Sequence, residues 1–251
     1  MSDDFSAKYT NSNLALDALP FDSSLFRGWR LRLQDVEPPL SPGLTLAVLR
    51  RGDVVPALIG DTLSEQPGTD AEIFSSVREA ITLVAPFVGL PNVMPASFGV
   101  VAELNKRQVQ NLQITPRQVD RETIKLGKWW LEMNARVYRG VGNSEVGMMI
   151  REFFPDLSFW ANTTIFGYLL GGGNVFPLKE AELVVAAAII ALGATRQARS
   201  HCKAAIQLGN SFHNLDAILG IGKEMSHWSG HRLPQKVDLP KLVNELEALM
   251  N

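Results

Sequence analysis

Four histidines and one cysteine bound the proton-transfer and nucleophilic chemistry open to this 251-residue chain. Glu224, His227 and His231 stand at i, i+3 and i+7, a spacing that would put a carboxylate and two imidazoles on one helical face, as a non-haem metal centre requires. Gly230 is expected to end that helix before His231, and no metal is expected. Cys202 is the only cysteine, so the chain can form no internal disulfide and no two-thiol redox cycle. It reads as a core thiol. Gly220-Ile-Gly222-Lys223 sits within a helical pattern, with no strand before it and no Ser or Thr after the lysine. Neither a dinucleotide loop nor a phosphate loop is met.

These residues need a scaffold, and the composition describes one. A hydrophobic fraction of 46% with 20% charged residues excludes disordered and fibrous classes. The net charge of −2 offers no basic field for nucleic acid. The short cluster Arg27-Gly-Trp-Arg-Leu-Arg32 reads as a solvated edge. The longest apolar stretch, Leu183 to Ala194, falls short of the ~18 residues a bilayer span needs. With a single cysteine and no secretory signal pattern at Met1-Ser-Asp-Asp-Phe, a soluble cytoplasmic protein is expected.

Residues 1–39, rich in Ser, Asp, Asn and Pro, are expected to form a mostly irregular arm anchored by Phe21, Phe26 and Trp29. Helical signals dominate afterwards. Leu126, Trp129, Trp130, Met133 and Val137 mark one face of an amphipathic helix. Asn143 or Ser144 caps the next, Pro155 opens another, and Pro177 starts a helix with Glu180 and Glu182 in its first turns. The run Leu183-Val-Val-Ala-Ala-Ala-Ile-Ile-Ala-Leu192 is apolar on all sides and should be buried on every face. Gly209 suits a helix end, and Asn210 or Ser211 the next cap. No convincing strand is visible, so the fold class is all-α.

The chain also repeats itself. Ala57-Leu-Ile-Gly-Asp and Ala198-Arg-Ser-His-Cys stand 141 apart (198 − 57), as do Gly68 and Gly209, and Gly89 and Gly230. A shared helix–Gly–helix–Gly rhythm favours an internal duplication. The expected division is an N-terminal arm (1–39), a first, degenerate repeat (40–110) and a second repeat (111–251) bearing the candidate site.

The run Leu178-Lys-Glu-Ala-Glu-Leu-Val-Val-Ala-Ala-Ala-Ile-Ile-Ala-Leu-Gly, followed by Gln197-Ala-Arg-Ser-His-Cys-Lys-Ala-Ala-Ile-Gln-Leu-Gly209, resembles the carboxymuconolactone decarboxylase family, which is related to the alkylhydroperoxidase D-like proteins. Phe154-Pro-Asp-Leu, Phe166-Gly-Tyr168 and Trp228-Ser-Gly230 are similar to further landmarks of that family, and Val77 to Ala96 to its third helix in the first repeat. The resemblance implies a helical bundle of two such repeats with an alkylhydroperoxidase D-like fold, assembled as a homo-oligomer.

It also implies chemistry. Peroxidase relatives carry a Cys-x-x-Cys pair, and the matching positions here are Ala194 and Gln197, so a thiol peroxidase is disfavoured. The decarboxylases use neither metal nor organic cofactor. They need a general acid or base and hydrogen-bond donors where charge collects. His201 and Glu182, 19 residues apart, are the implied catalytic residues, with Tyr168, His227 and Trp228 as substrate contacts. The expected activity is a cofactor-independent lyase or isomerase exchanging protons with a small lactone, oxo-acid or polyketide-like substrate. Plainer readings stand beside it. Glu182 suits a first-turn position facing the helix dipole, His201 a satisfied core histidine, and the aromatics a core. The alternative is a non-catalytic helical binding or assembly protein. The first repeat has Gly60 at the position of His201, so any chemistry belongs to the second.

Overall fold

The computed structural model describes residues 9–10, 14–34, 36, 51–112, 114, 116, 132, 135, 137–138, 141, 144–171, 175–234 and 237–250. Among them the chain is all-helical, with no strand. In order come α1 (Ser23–Gln34), a 3-10 turn (Gly52–Val54), α2 (Val55–Glu65), α3 (Asp70–Val88) and α4 (Leu90–Lys106). Then follow α5 (Ser144–Phe153), α6 (Pro155–Trp160), a π-helix (Ala161–Leu170), α7 (Leu178–Ala191), α8 (Thr195–Gln207), α9 (Phe212–Trp228) and α10 (Leu239–Met250).

α7 is the axis of the bundle. Every residue from Ala181 to Ala191 is buried, as its all-apolar sequence requires, and the helix packs against α3, α8 and α9. Each Leu, Val or Ile withdrawn from water there contributes about 1.5–3 kcal/mol. Glu182 is the one charged residue in that stretch.

Two three-helix runs flank the axis with matching local geometry. α2 and α3 both pack on α4, as α8 and α9 do on α10. Gly68 and Gly209 take φ of +87° and +88°, and Gly89 and Gly230 +82° and +79°. Left-handed caps of this kind favour glycine because a Cβ would strain the backbone. Ser211 caps α9, its hydroxyl accepting from the Asn214 amide at 3.1 Å. Pro155 opens α6 and Pro177 precedes α7, as their rigid φ suits. Of the helix expected over Leu126–Val137 the structure describes Glu132, Ala135 and Val137, the last fully buried.

The arm departs from expectation in being partly helical. Asp22 Oδ1 accepts from the Leu25 amide at 3.0 Å and starts α1, whose Phe26, Trp29, Arg30 and Leu33 are buried. That i, i+3, i+4, i+7 stripe includes an arginine, which is why an apolar count missed it. The cluster expected to be a solvated edge is an interface instead. Arg30 is buried against Thr62 and Glu65 of α2, and Arg32 pairs with Glu224 of α9 at 2.8 Å.

α10 is fastened to α8 by Glu245, which accepts from Arg199 at 2.8 Å and Lys203 at 2.8 Å. The Lys203 hydrogen bond outweighs partial burial and, with Arg199, holds the Glu245 carboxyl below the usual glutamate range. A depressed folded-state pKa gives a contribution present above the unfolded pKa and lost as pH falls through the folded one. Glu245→Gln is therefore expected to lower the melting temperature at pH 7, with the difference from wild type shrinking as melts are taken into the acid range below pH ~4. A partly exposed network warrants an effect of no more than about 1 kcal/mol.

Candidate active site

The turn between α7 and α8 creates the site. Gly193 takes φ +70°, its amide donates to the Ile190 carbonyl at 2.9 Å, and the chain reverses so that α8 runs back along α7. Residues on either side of the turn then face each other. His201 Nδ1 lies 2.7 Å from Glu182 Oε1, in a setting where Glu182 is wholly buried and His201 is 6% exposed.

A carboxylate at Nδ1 selects the tautomer. Nδ1–H donates to Glu182, leaving the Nε2 lone pair as an acceptor. The Tyr138 hydroxyl lies 3.2 Å from Nε2 and 3.5 Å from Nδ1, so it rests against the imidazole ring and not along the Nε2 lone pair. Burial, and secondarily the charge of Glu182, push the Tyr138 phenol well above its usual value, so it keeps its proton at neutral pH. Carboxylate, imidazole and phenol thus form one cluster, with the hydrogen bond at its centre between Glu182 and His201. Among the described residues Glu182 Oε2 is buried with no hydrogen-bond partner, an acceptor with lone pairs to spare.

Aromatic edges close the group off. Phe87 of α3 meets the imidazole edge-on at 5.7 Å, and Phe166 of the π-helix meets Tyr138 at 5.2 Å. The first three-helix run therefore walls the group through Phe87 while supplying no acid or base to it. At Gly60, its counterpart of His201, the space is taken by α4: a Cβ there would lie 2.9 Å from Glu103 Oε1, and Arg107 donates to the Gly60 carbonyl at 2.7 Å and to Glu103 at 2.6 Å.

Cys202, one residue along, is fully buried, and desolvation pushes its thiol up to about 12. A thiolate, the reactive form, is therefore suppressed.

Of the sequence-derived contacts, the structure joins Glu182 and His201 and separates His227 and Trp228 from them. Ser226 approaches the Ala191 carbonyl at 3.4 Å, so that end of α9 lies at the far end of α7. Nine residues of helix put it about 13 Å along the axis from Glu182. Trp228 packs edge-on against Phe26 at 5.0 Å and Trp29 at 6.3 Å, under the Arg51 guanidinium at 4.0 Å. It is a core aromatic. His227 is exposed and lines a groove of about 1330 Å3 between α8, α9 and α10, whose walls include neither Glu182 nor His201. Tyr168 is half-buried against the main core, and its neighbour on the same π-helix, Phe166, is the residue against Tyr138. The i→i+5 winding of a π-helix turns each side chain away from where an α-helix would aim it. Glu224 is committed to Trp29 Nε1 at 2.8 Å and to Arg32, and among the described residues no cluster of three metal-binding side chains occurs.

Tyr138 was missed by sequence reading. It lies 63 residues before His201, beside Val137 of the amphipathic pattern, and nothing in its local spacing marks it.

No family model matches the chain. Over 198 residues it is 20% identical to Peroxisomal protein 2 of Saccharomyces cerevisiae, across 69% of this chain and 68% of that protein.

Proposed function

We propose that the chain is a cofactor-independent lyase, a decarboxylase, or an isomerase of the carboxymuconolactone decarboxylase-like kind, built from two repeats on an alkylhydroperoxidase D-like scaffold, and that it acts on a small lactone, oxo-acid or polyketide-like substrate. The observation that carries this reading is the buried Glu182–His201 pair, with the half-buried Tyr138 hydroxyl against its imidazole. The matched left-handed glycines support the duplication.

In such a reaction the phenol O–H faces the oxygen on which negative charge collects as the bond to the departing carboxylate breaks. His201 Nε2 takes or returns the proton, and Glu182 stabilises the imidazolium that forms. For an isomerisation, the same nitrogen removes a proton from one carbon and returns it to another. Either route places the substrate at Nε2, beside the Tyr138 hydroxyl.

Incubation with 4-carboxymuconolactone and related lactones, read by carbon dioxide release and by solvent deuterium entering recovered material, tests the reading. Tyr138→Phe is expected to lower kcat about 100-fold or more, within the span of general acid–base effects, and His201→Ala to abolish turnover. Equal rates for wild type and His201→Ala would remove the imidazole from the mechanism.

A second reading, a non-catalytic helical binding protein, is favoured by the groove of about 1330 Å3, whose walls include neither Glu182 nor His201. On that reading wild type releases no carbon dioxide and exchanges no deuterium, and ligands that bind perturb groove residues such as His213 and Lys223. For the location, the cytoplasm suits the lone buried thiol, whereas the yeast relative's name attaches that protein to the peroxisome. Imaging of the tagged chain against a peroxisomal marker distinguishes the two.

A further inference from the structure

The winding of Ala161–Leu170 sets that segment apart. Hydrogen bonds of the i→i+5 kind are rare, occur mostly as single turns inside α-helices and gather at functional sites. Here the run extends over ten residues. It packs on α3, which carries Phe87, and on α7, which carries Glu182. Its own contribution to the buried group is one ring. Phe166 meets Tyr138 edge-on, with centroids 5.2 Å apart and ring planes at 86°.

Tyr138 needs such a contact. Its hydroxyl lies 3.2 and 3.5 Å from the two imidazole nitrogens, so no single directional hydrogen bond fixes it. The residue packs on the small cluster of Val137, Val141 and Ala204, whereas Phe166 packs against the main core. The ring of Tyr138 is therefore placed by its aromatic neighbours, His201 at 5.6 Å and 76° and Phe166. Edge-on rings attract because the positive edge of one meets the negative face of the other. We propose that Phe166 is a positioning residue, that it holds the Tyr138 hydroxyl against the His201 imidazole, and that the i→i+5 winding aims it there. Its effect on turnover rests on the reaction proposed above, whereas the positioning itself does not.

An edge-on pair is worth roughly a 2- to 12-fold bias in population. Phe166→Leu, which keeps apolar bulk and removes the ring, is expected to lower kcat by that factor. Phe166→Tyr, which keeps the ring, should stay near wild type. A residue that acts through Tyr138 has nothing left to act on once the hydroxyl is gone. Phe166→Leu combined with Tyr138→Phe should therefore be as slow as Tyr138→Phe alone. An unchanged kcat in Phe166→Leu, or a further loss in the double variant, overturns the proposal. The chain's three tyrosines, labelled with carbon-13 at Cζ, give a readout independent of any reaction. The Tyr138 signal, identified by its loss in Tyr138→Phe, should stay at its protonated position through pH ~10, the ordinary tyrosine midpoint. Burial first, and the Glu182 charge second, hold its phenol well above that value. In Phe166→Leu the signal should move and its midpoint fall, with the Tyr9 signal unmoved and helical circular dichroism retained. A Tyr138 signal and midpoint unchanged by Phe166→Leu overturns the positioning role, and so does a general loosening that displaces Tyr9 with it. Absence of turnover in the wild type would remove the reaction and leave the tyrosine signals to decide.

Discussion

Replacing His201 by alanine is expected to destabilise the fold by about 3–5 kcal/mol, the cost of leaving a buried carboxylate without its partner. The size follows from where the partner is left. Glu182 is wholly buried on the central helix, one of its oxygens has no hydrogen bond among the described residues, and His201 Nδ1 is the group that satisfies the other. Without the imidazole the carboxylate must stay charged in a dry interior, take up a proton, or open the α7–α8 packing to water. Glu182→Gln should cost less, because the amide oxygen can still accept from Nδ1–H and no charge is stranded. The double variant Glu182→Gln with His201→Ala should be less destabilised than the sum of the two, with a coupling of about 0.5–3 kcal/mol for residues in direct contact. Urea unfolding of all four proteins measures the cycle. A His201→Ala loss of under about 1 kcal/mol would falsify the buried pair, since even an ordinary net hydrogen bond is worth that much. Stability and turnover would both fall in this variant, so the activity argument rests on Tyr138→Phe, whose phenol is half-buried and whose loss strands no charge.

Much of this was legible in the residues, and the failures have separate physical causes. α7 could be read outright, because a run with no polar side has nowhere to go except the centre of a bundle. The Glu182–His201 pairing followed from the resemblance. The geometry beneath it is simple: two helices joined by a tight turn place residues on opposite sides of that turn in register. Tyr138 could not be found that way, because a group that arrives from 63 residues upstream is positioned by tertiary packing. Trp228 and His227, which the resemblance suggested, stand apart from the pair because α9 runs its last turns past Ala191, at the far end of α7. The arm misled because Arg30 replaces an apolar residue in the buried stripe of α1, and its partners in α2 lie beyond any local window.

The register that brings Glu182 to His201 hangs on one glycine, and its substitution tests the geometry without touching either side chain. Gly193 combines a left-handed φ of +70° with a crowded Cβ direction, in which an added carbon would lie 2.8 Å from Pro234 Cδ. Gly209 takes φ +88° with nothing within 4 Å, so it carries the backbone strain alone. For a residue with a Cβ, the left-handed conformation costs about 1–2 kcal/mol. Crowding a packed interior adds about 1–3 kcal/mol. Gly209→Ala is therefore expected to lose about 1–2 kcal/mol and Gly193→Ala about 2–5 kcal/mol, measured as the shift in urea midpoint at constant slope. The second effect should also be directional. To relieve the contact, the turn must move against the proline, which rotates α8 relative to α7 and draws the imidazole from the carboxylate. At a substrate concentration that saturates the wild type, Gly193→Ala should then lose turnover out of proportion to its folded fraction, and Gly209→Ala in proportion to it. If both variants keep full specific activity per folded molecule, the turn does not set the register, and the alignment of Glu182 with His201 must come from the contacts of α7 with α3 and α9 instead.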